Sequence, residues 1–274
     1  AFLFEASGTS TITEAFITAS TFSNNSPQRA LEVQVHDTAT ISDFVVSGNT
    51  FNANGIHASF TQDTSGNIEF YFVNNSVTTP NTADNVLQAV NVFSSSQATG
   101  GSIVGTISGN TIATNQEDIS GISIVIQGRT DSTLLIDSNM ITGAGPFGNR
   151  GITVAYRGPT TAVGPAQTHD LTITNNIVDN VTGQSGLGTT FFPLAAISVE
   201  ADNQSGSFAF APIVRADIAG NTVPSSAAFD LTSANIQFYE YDGDGTAGES
   251  QDGIGQLVDR APASGSADAQ LAGA

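Results

Sequence analysis

Three observations predict an all-β chain wound as a parallel β-helix, that is, a β-solenoid with irregular loop insertions. A short apolar strand runs into an asparagine six times, a second strand follows at a variable distance, and no segment carries a 3.6-residue apolar period. The six instances are FVVSGNTF (44–51), YFVNNSV (71–77), TISGNTI (106–112), LIDSNMI (135–141), TITNNIV (172–178) and ADIAGNTV (216–223). With Asn25 of FSNNS admitted as a weaker first member, the asparagines stand at 25, 49, 75, 110, 139, 176 and 221, in steps of 24, 26, 35, 29, 37 and 45 residues. The smallest step is about one coil of a three-sided solenoid, and the longer ones are a coil plus an insertion.

Each unit's second strand opens on a small residue or an aliphatic run: Gly55–Ala58, Val86–Val90, Gly121–Ile126, Gly151–Tyr156 and Ala196–Val199. In the third of these, Ile122, Ile124 and Ile126 alternate with a period of two, as a strand with one face in a core requires. The asparagine is expected at a corner where the backbone enters the left-handed region, which Asn and Gly tolerate best. Stacked corners would let the amides hydrogen-bond as a ladder. Val45, Phe51, Ile56, Ile107, Ile112, Ile136, Ile141, Ile173, Val178, Ile218 and Val223 are the expected inner residues, each contributing roughly 1.5–3 kcal/mol when fully buried. Propellers need hairpin-linked antiparallel strands, and leucine-rich repeats need a fixed leucine lattice; neither pattern occurs.

The organisation read from this pattern has three parts. Residues 1–21 form an N-terminal strand, a cap or a junction with a neighbouring unit; 22–241 form the β-helix; 242–274 form an acidic turn and a tail rich in Gly, Ser, Ala and Asp. The chain begins on Ala1 instead of methionine, as a processed or excised piece of a longer polypeptide would.

Composition narrows function. The six basic residues are all arginine, cysteine is absent, and 25 acidic groups give a formal charge of -19. Disulfides, thiol nucleophiles and Schiff-base lysines are excluded. Nucleic acid and anionic lipid would be repelled, and no apolar run reaches the roughly 20 residues of a membrane-spanning helix. An acidic chain rich in Thr, Ser, Asn and Gly points to a bacterial exported protein, extracellular or held at the cell surface.

The ISGNTI-type turn followed by a GI-x-V strand resembles the right-handed parallel β-helix proteins of pectin-lyase-like architecture, above all the non-enzymatic repeat segments of large bacterial surface and adhesin-type proteins. The resemblance covers about residues 22–241 and implies a right-handed winding. It says little about function, which belongs to sites grafted on a fold.

Most characterised enzymes of this architecture cleave acidic polysaccharides. Lyases need a basic residue beside a uronate, and here only Arg129, Arg150 and Arg157 fall at comparable ends of adjacent coils, where stacking would bring Arg129 and Arg157 together. Hydrolases of this group carry NTD, DD, GHG and RIK motifs in order, and the chain has none. His36, His57 and His169 stand apart in the sequence and read as surface or strand residues. Catalytic residues and required cofactors are therefore none. Insertions at 113–120, 142–150 and 181–194 would collect on one side of the rod, and 158–169 and 201–212 would interrupt the return. Asp242, Asp244 and Glu249 are the candidate metal ligands, for calcium, although the spacing falls short of an EF-hand loop.

The expected function is a non-catalytic structural or adhesive element that self-associates end to end and holds a glycan or other cell-surface ligand. The alternative is a carbohydrate-active β-helix enzyme, a polysaccharide lyase or hydrolase.

Overall fold

The computed structural model describes residues 1–25, 29–54, 56–78, 88–114, 120–143, 150–159, 167–179, 196–202, 212–223 and 236–241. Its strands follow one another coil by coil. The first coil holds β1 (Phe2–Ala6), β2 (Thr11–Ile12), β3 (Ala15–Thr18) and β4 (Thr21–Ser23). The second holds β5 (Arg29–Val35), β6 (Thr40–Ser47) and β7 (Thr50–Asn52), and the third β8 (Ile56–Gln62), β9 (Asn67–Val73) and β10 (Ser76–Thr78). Then come β11 (Gln88–Ser94), β12 (Ser102–Ser108) and β13 (Thr111–Thr114), followed by β14 (Ser120–Gln127), β15 (Asp131–Asp137) and β16 (Met140–Gly143). The sixth coil is β17 (Arg150–Arg157), β18 (Thr168–Thr174) and β19 (Ile177–Asp179). The seventh has β20 (Ile197–Asp202) and β21 (Ile213–Ala219), and β22 (Ile236–Tyr241) opens an eighth.

Every strand pairs in parallel with its counterpart one coil away, which generates three sheets. The first sheet runs β1-β5-β8-β11-β14-β17-β20-β22, the second β2-β6-β9-β12-β15-β18-β21 with β3 also on β6, and the third β4-β7-β10-β13-β16-β19. The fold is thus an all-β, right-handed parallel β-helix. β1 to β4, which include the segment 1–21 read from sequence as an N-terminal strand, cap or junction, are hydrogen-bonded into all three sheets as the first coil.

Alternation decides what enters the core. In the second sheet the inner positions of β6, β9 and β12 are Ile41, Phe44 and Val46, then Ile68, Phe70 and Phe72, then Ile103, Gly105 and Ile107. Phenylalanines fill the N-terminal part of the core, with Phe60 stacked on Phe70 at 3.9 Å between centroids and Phe22 on Phe51 at 4.8 Å. Gly105 has no Cβ because there is no room for one: it would lie 2.5 Å from the Phe70 ring and 2.9 Å from Leu134. Toward the other end the inner columns turn aliphatic, with Ile112, Ile136, Ile141, Ile173 and Val178 buried as expected.

Two expected core residues are not fully buried. Val45 is half-exposed because the inner position three residues before the asparagine belongs to Val46, and a bulge between Ile41 and Phe44 resets the count. Ile56 is in phase with the buried Ala58 and Phe60 but is the first residue of β8, level with Arg29 at the margin of the sheet, and stays half-exposed. Ile218 and Val223 pack against the core while remaining partly exposed near the last turn.

Candidate functional site

The most highly organised polar feature is the corner between the second and third sheets. Here Asn49, Asn75, Asn110, Asn139 and Asn176 are buried one above another, and Asn221 follows at the last turn. Asn110 is representative. Its backbone N–H and Nδ2 both donate to Asn139 Oδ1, at 3.0 and 2.9 Å, and Nδ2 also donates to Phe72 O at 2.8 Å. Its own Oδ1 accepts from the N–H and Nδ2 of Asn75. Each interior amide therefore uses two donor and two acceptor positions, so a buried polar column carries no unmet partner.

The backbone explanation for these asparagines is corrected by the dihedral angles. The left-handed residue is the one before the ladder: Gly48, Asn74, Gly109, Ser138, Asn175 and Gly220, with φ between 55° and 67°. The recurring asparagine is selected for its side-chain amide. Asn25 is also corrected, because it does not belong to this column. Ser20 takes the first rung, its N–H donating to Asn49 Oδ1 at 2.8 Å, while its hydroxyl turns back to Thr18 O. Asn25 starts a second, shorter ladder at the next corner, where its N–H and Nδ2 donate to Asn54 Oδ1 at 3.1 and 2.8 Å. The same local conformation precedes it, with Asn24 and Ala53 left-handed. The amino group of Ala1 closes this ladder by donating to Asn25 Oδ1.

The three histidines divide into one at the surface and two inside. His36 has Nδ1 2.7 Å from Asp63 and Nε2 3.2 Å from Gln34 Oε1, with Glu5 at 3.8 Å. His57 is fully buried, and its Nε2 lies 3.3 Å from the Asn54 N–H and 3.1 Å from Thr78 O, so the ring ends the short ladder. Burial lowers its pKa to about 4, against the smaller raising effect of Thr78 O. His169 is also buried, stacked on Tyr156 at 4.2 Å with Nδ1 3.0 Å from Ser132 Oγ, and burial lowers its pKa to about 3. Of the two readings the sequence offered, surface or strand, both rings take the strand one and face inward. The facing was hidden because a His inside a Thr- and Ser-rich strand has the same sequence context whichever way it points.

Among the described residues, strand register does not set Arg129, Arg150 and Arg157 level with one another. Arg157 is level with Gln127, not Arg129, and its Nε lies 3.7 Å from Glu200. Arg150 is level with Ser120. Near the asparagine corner, Asp137 accepts from Thr174 Oγ1 at 2.7 Å, Asn175 Nδ2 at 3.0 Å and Ser138 Oγ at 2.8 Å. Partial burial pushes its pKa up, but the three hydrogen bonds prevail and hold it below the usual carboxylate range. On the outer face of the second sheet, Tyr71 Oη donates to Glu69 at 2.5 Å, and that bond first, then burial and the charges of Glu69 and Asp43, push its pKa up to about 12.

Asp242, Asp244 and Glu249 lie outside the described residues, as do most of the expected insertions, which fall on 115–119, 144–149, 160–166, 180–195 and 203–211. Among the described residues no three His, Asp or Glu side chains converge as a metal site, and no helix is long and apolar enough to cross a membrane. No protein-family model, curated protein or solved structure matches this chain.

Proposed function

We propose that this protein is a non-catalytic, extracellular β-solenoid, a structural or adhesive segment of the kind found in bacterial surface proteins, which presents its faces to a ligand and its ends to further units. The observation that carries this reading is the asparagine ladder, continuous from Asn49 to Asn221. The polar groups repeated in every coil are consumed in stacking coil on coil, the property a rod needs and an active site does not.

The first coil adds support. Among the described residues nothing pairs with the outer edges of β1 to β4, and the partly buried Phe4, Ile12, Ile17 and Phe22 line that end beside the exposed Phe2. An apolar cross-section with free strand edges is where a further β-coil can add.

Electron microscopy and light scattering of purified protein, with glycan-array and cell-binding assays, test this reading. Rods or end-to-end assemblies that bind a surface ligand are expected. Compact spheres would sink it, and so would release of reducing ends or unsaturated uronates from a polysaccharide panel, with or without calcium.

A further inference from the structure

We propose that the outer face of the second sheet, over the first five coils, is a docking surface for a basic polypeptide segment carrying apolar side chains. The inference rests on the reading of the rod as a contact element and names the contact. Strand register sets Phe16, Val45 and Tyr71 side by side in one outward row, which continues through Thr106 to Leu135. Val73 and Val104 stand in the flanking rows. Phe16 is 61 % exposed, Val104 38 % and Leu135 37 %, while Val45, Tyr71 and Val73 are half-exposed. With neighbouring strands about 4.8 Å apart, Phe16, Val45 and Tyr71 are direct neighbours, and Val73, Val104 and Leu135 extend this patch along the strand and diagonally around Thr106.

The rim of the patch decides its partner. Asp43, Glu69, Asp131 and Asp170 border it, and Arg215, at the far end and 3.5 Å from Asp170, is the one arginine in the strands of this sheet. A second copy would set acid against acid on a chain of net charge -19, and nucleic acid, anionic lipid and uronate polymers meet the same repulsion. Four of the six patch residues are aliphatic and offer nothing to sugar hydroxyls. A segment with lysine or arginine beside leucine-like side chains satisfies both parts: its apolar groups cover the row, and its cations meet the rim and the faces of Phe16 and Tyr71.

The test uses the whole chain and a labelled alternating Leu–Lys peptide, followed by fluorescence anisotropy at physiological salt. A Gly–Lys peptide of equal charge and a neutral β-linked oligosaccharide are the comparison probes. The Leu–Lys peptide is expected to bind at least about tenfold more tightly than Gly–Lys, and Phe16→Ser/Tyr71→Ser/Leu135→Ser to lose about tenfold, as expected for removing buried apolar contacts. Met140→Ser/Ile177→Ser, two exposed apolar residues of the third sheet, should change nothing. Should the triple variant lose its β-sheet circular dichroism, Phe16→Ser alone, at the outermost coil, gives the same reading with about a threefold loss. Equal binding of both peptides, an undiminished variant, or preference for the oligosaccharide overturns the proposal. Any of these leaves the rod reading intact, because that is judged by imaging and cell binding.

Discussion

Asn110 and Asn139 are joined by two hydrogen bonds to a single oxygen: the backbone N–H and the side-chain Nδ2 of Asn110 both reach Asn139 Oδ1. One substitution at Asn139 thus strips three polar groups of the preceding coil of their partner and removes one of the two donors to Asn176 Oδ1 in the following coil. In Asn139→Ala the Asn110 donors and Ile107 O lose their partners in a buried setting. At about 1–3 kcal/mol for a buried polar group left unmet, part of it recovered by relaxation, the expected loss is about 2–4 kcal/mol. Ser20→Ala, at the half-exposed first rung, should cost below about 1 kcal/mol, because only a local hydroxyl bond to Thr18 is removed. Urea unfolding of the two variants checks the contrast, and equal shifts would show that the ladder is not where stability resides.

The residue before each rung makes a separate prediction. Ala19 and Ser138 hold φ of 50° and 55° at a position that Gly fills in three other coils. Left-handed backbone costs a non-glycine residue roughly 1–2 kcal/mol, of which the greater unfolded-state freedom of glycine returns about half. Ala19→Gly should therefore stabilise by about 0.5–1 kcal/mol. Gly109→Ala should destabilise by more than that, since its φ is 65° and the added Cβ would lie 2.5 Å from Asn74 Oδ1. Thermal melts with opposite signs for the two variants are the expected outcome.

Inside the core, Gly105 should resist enlargement. Alanine there meets the Phe70 ring and Leu134, and because Phe70 is stacked on Phe60 it cannot swing away without breaking that pair. Overpacking of this kind costs about 1–3 kcal/mol. Gly105→Ala in a Phe70→Leu background should recover most of that loss, which a double-mutant cycle measures.

Much of this was legible in the chain itself. A period of two, an amide at a fixed place and small residues around it have one economical solution in three dimensions, so the parallel coil and the stacked asparagines follow from the sequence. What did not follow were properties set by register. Asn25 and Asn49 are chemically alike, yet one belongs to each ladder, because the corner a residue occupies depends on how many residues the preceding strands consume. Val45 and Val46 likewise differ only in parity, and a bulge two residues upstream decides which is inner. His57 and His169 were illegible for the same reason, since inward and outward positions alternate in strands where both faces carry hydroxyl residues. The apolar outer row from Phe16 to Leu135 becomes visible only once the coils are laid side by side.

Those buried histidines predict an acid-sensitive rod. Both have folded-state pKa values lowered from 6.5, to about 4 for His57 and about 3 for His169, by burial. Between those values and 6.5 the unfolded chain binds protons that the folded one refuses. The stability contributed by the two neutral rings is therefore fully present above pH 6.5, falls as the pH drops through the window, and levels off below about 3. Each unit of pKa difference corresponds to about 1.4 kcal/mol, so the two rings together put several kcal/mol at stake. In the doubly protonated ring Nε2 donates toward Thr78 O and has no lone pair left for the Asn54 N–H, so that end of the short ladder loses an acceptor. Neutralising carboxylates over the same range relieves the excess negative charge and acts in the opposite direction, so the comparison must be between variants. Melting temperatures of the parent and of His57→Gln, taken from pH 7 to pH 4, should converge as the pH falls, with the shallower slope in the variant. Parallel curves would mean that His57 keeps the same protonation state folded and unfolded, and that the ladder end it forms is open to water.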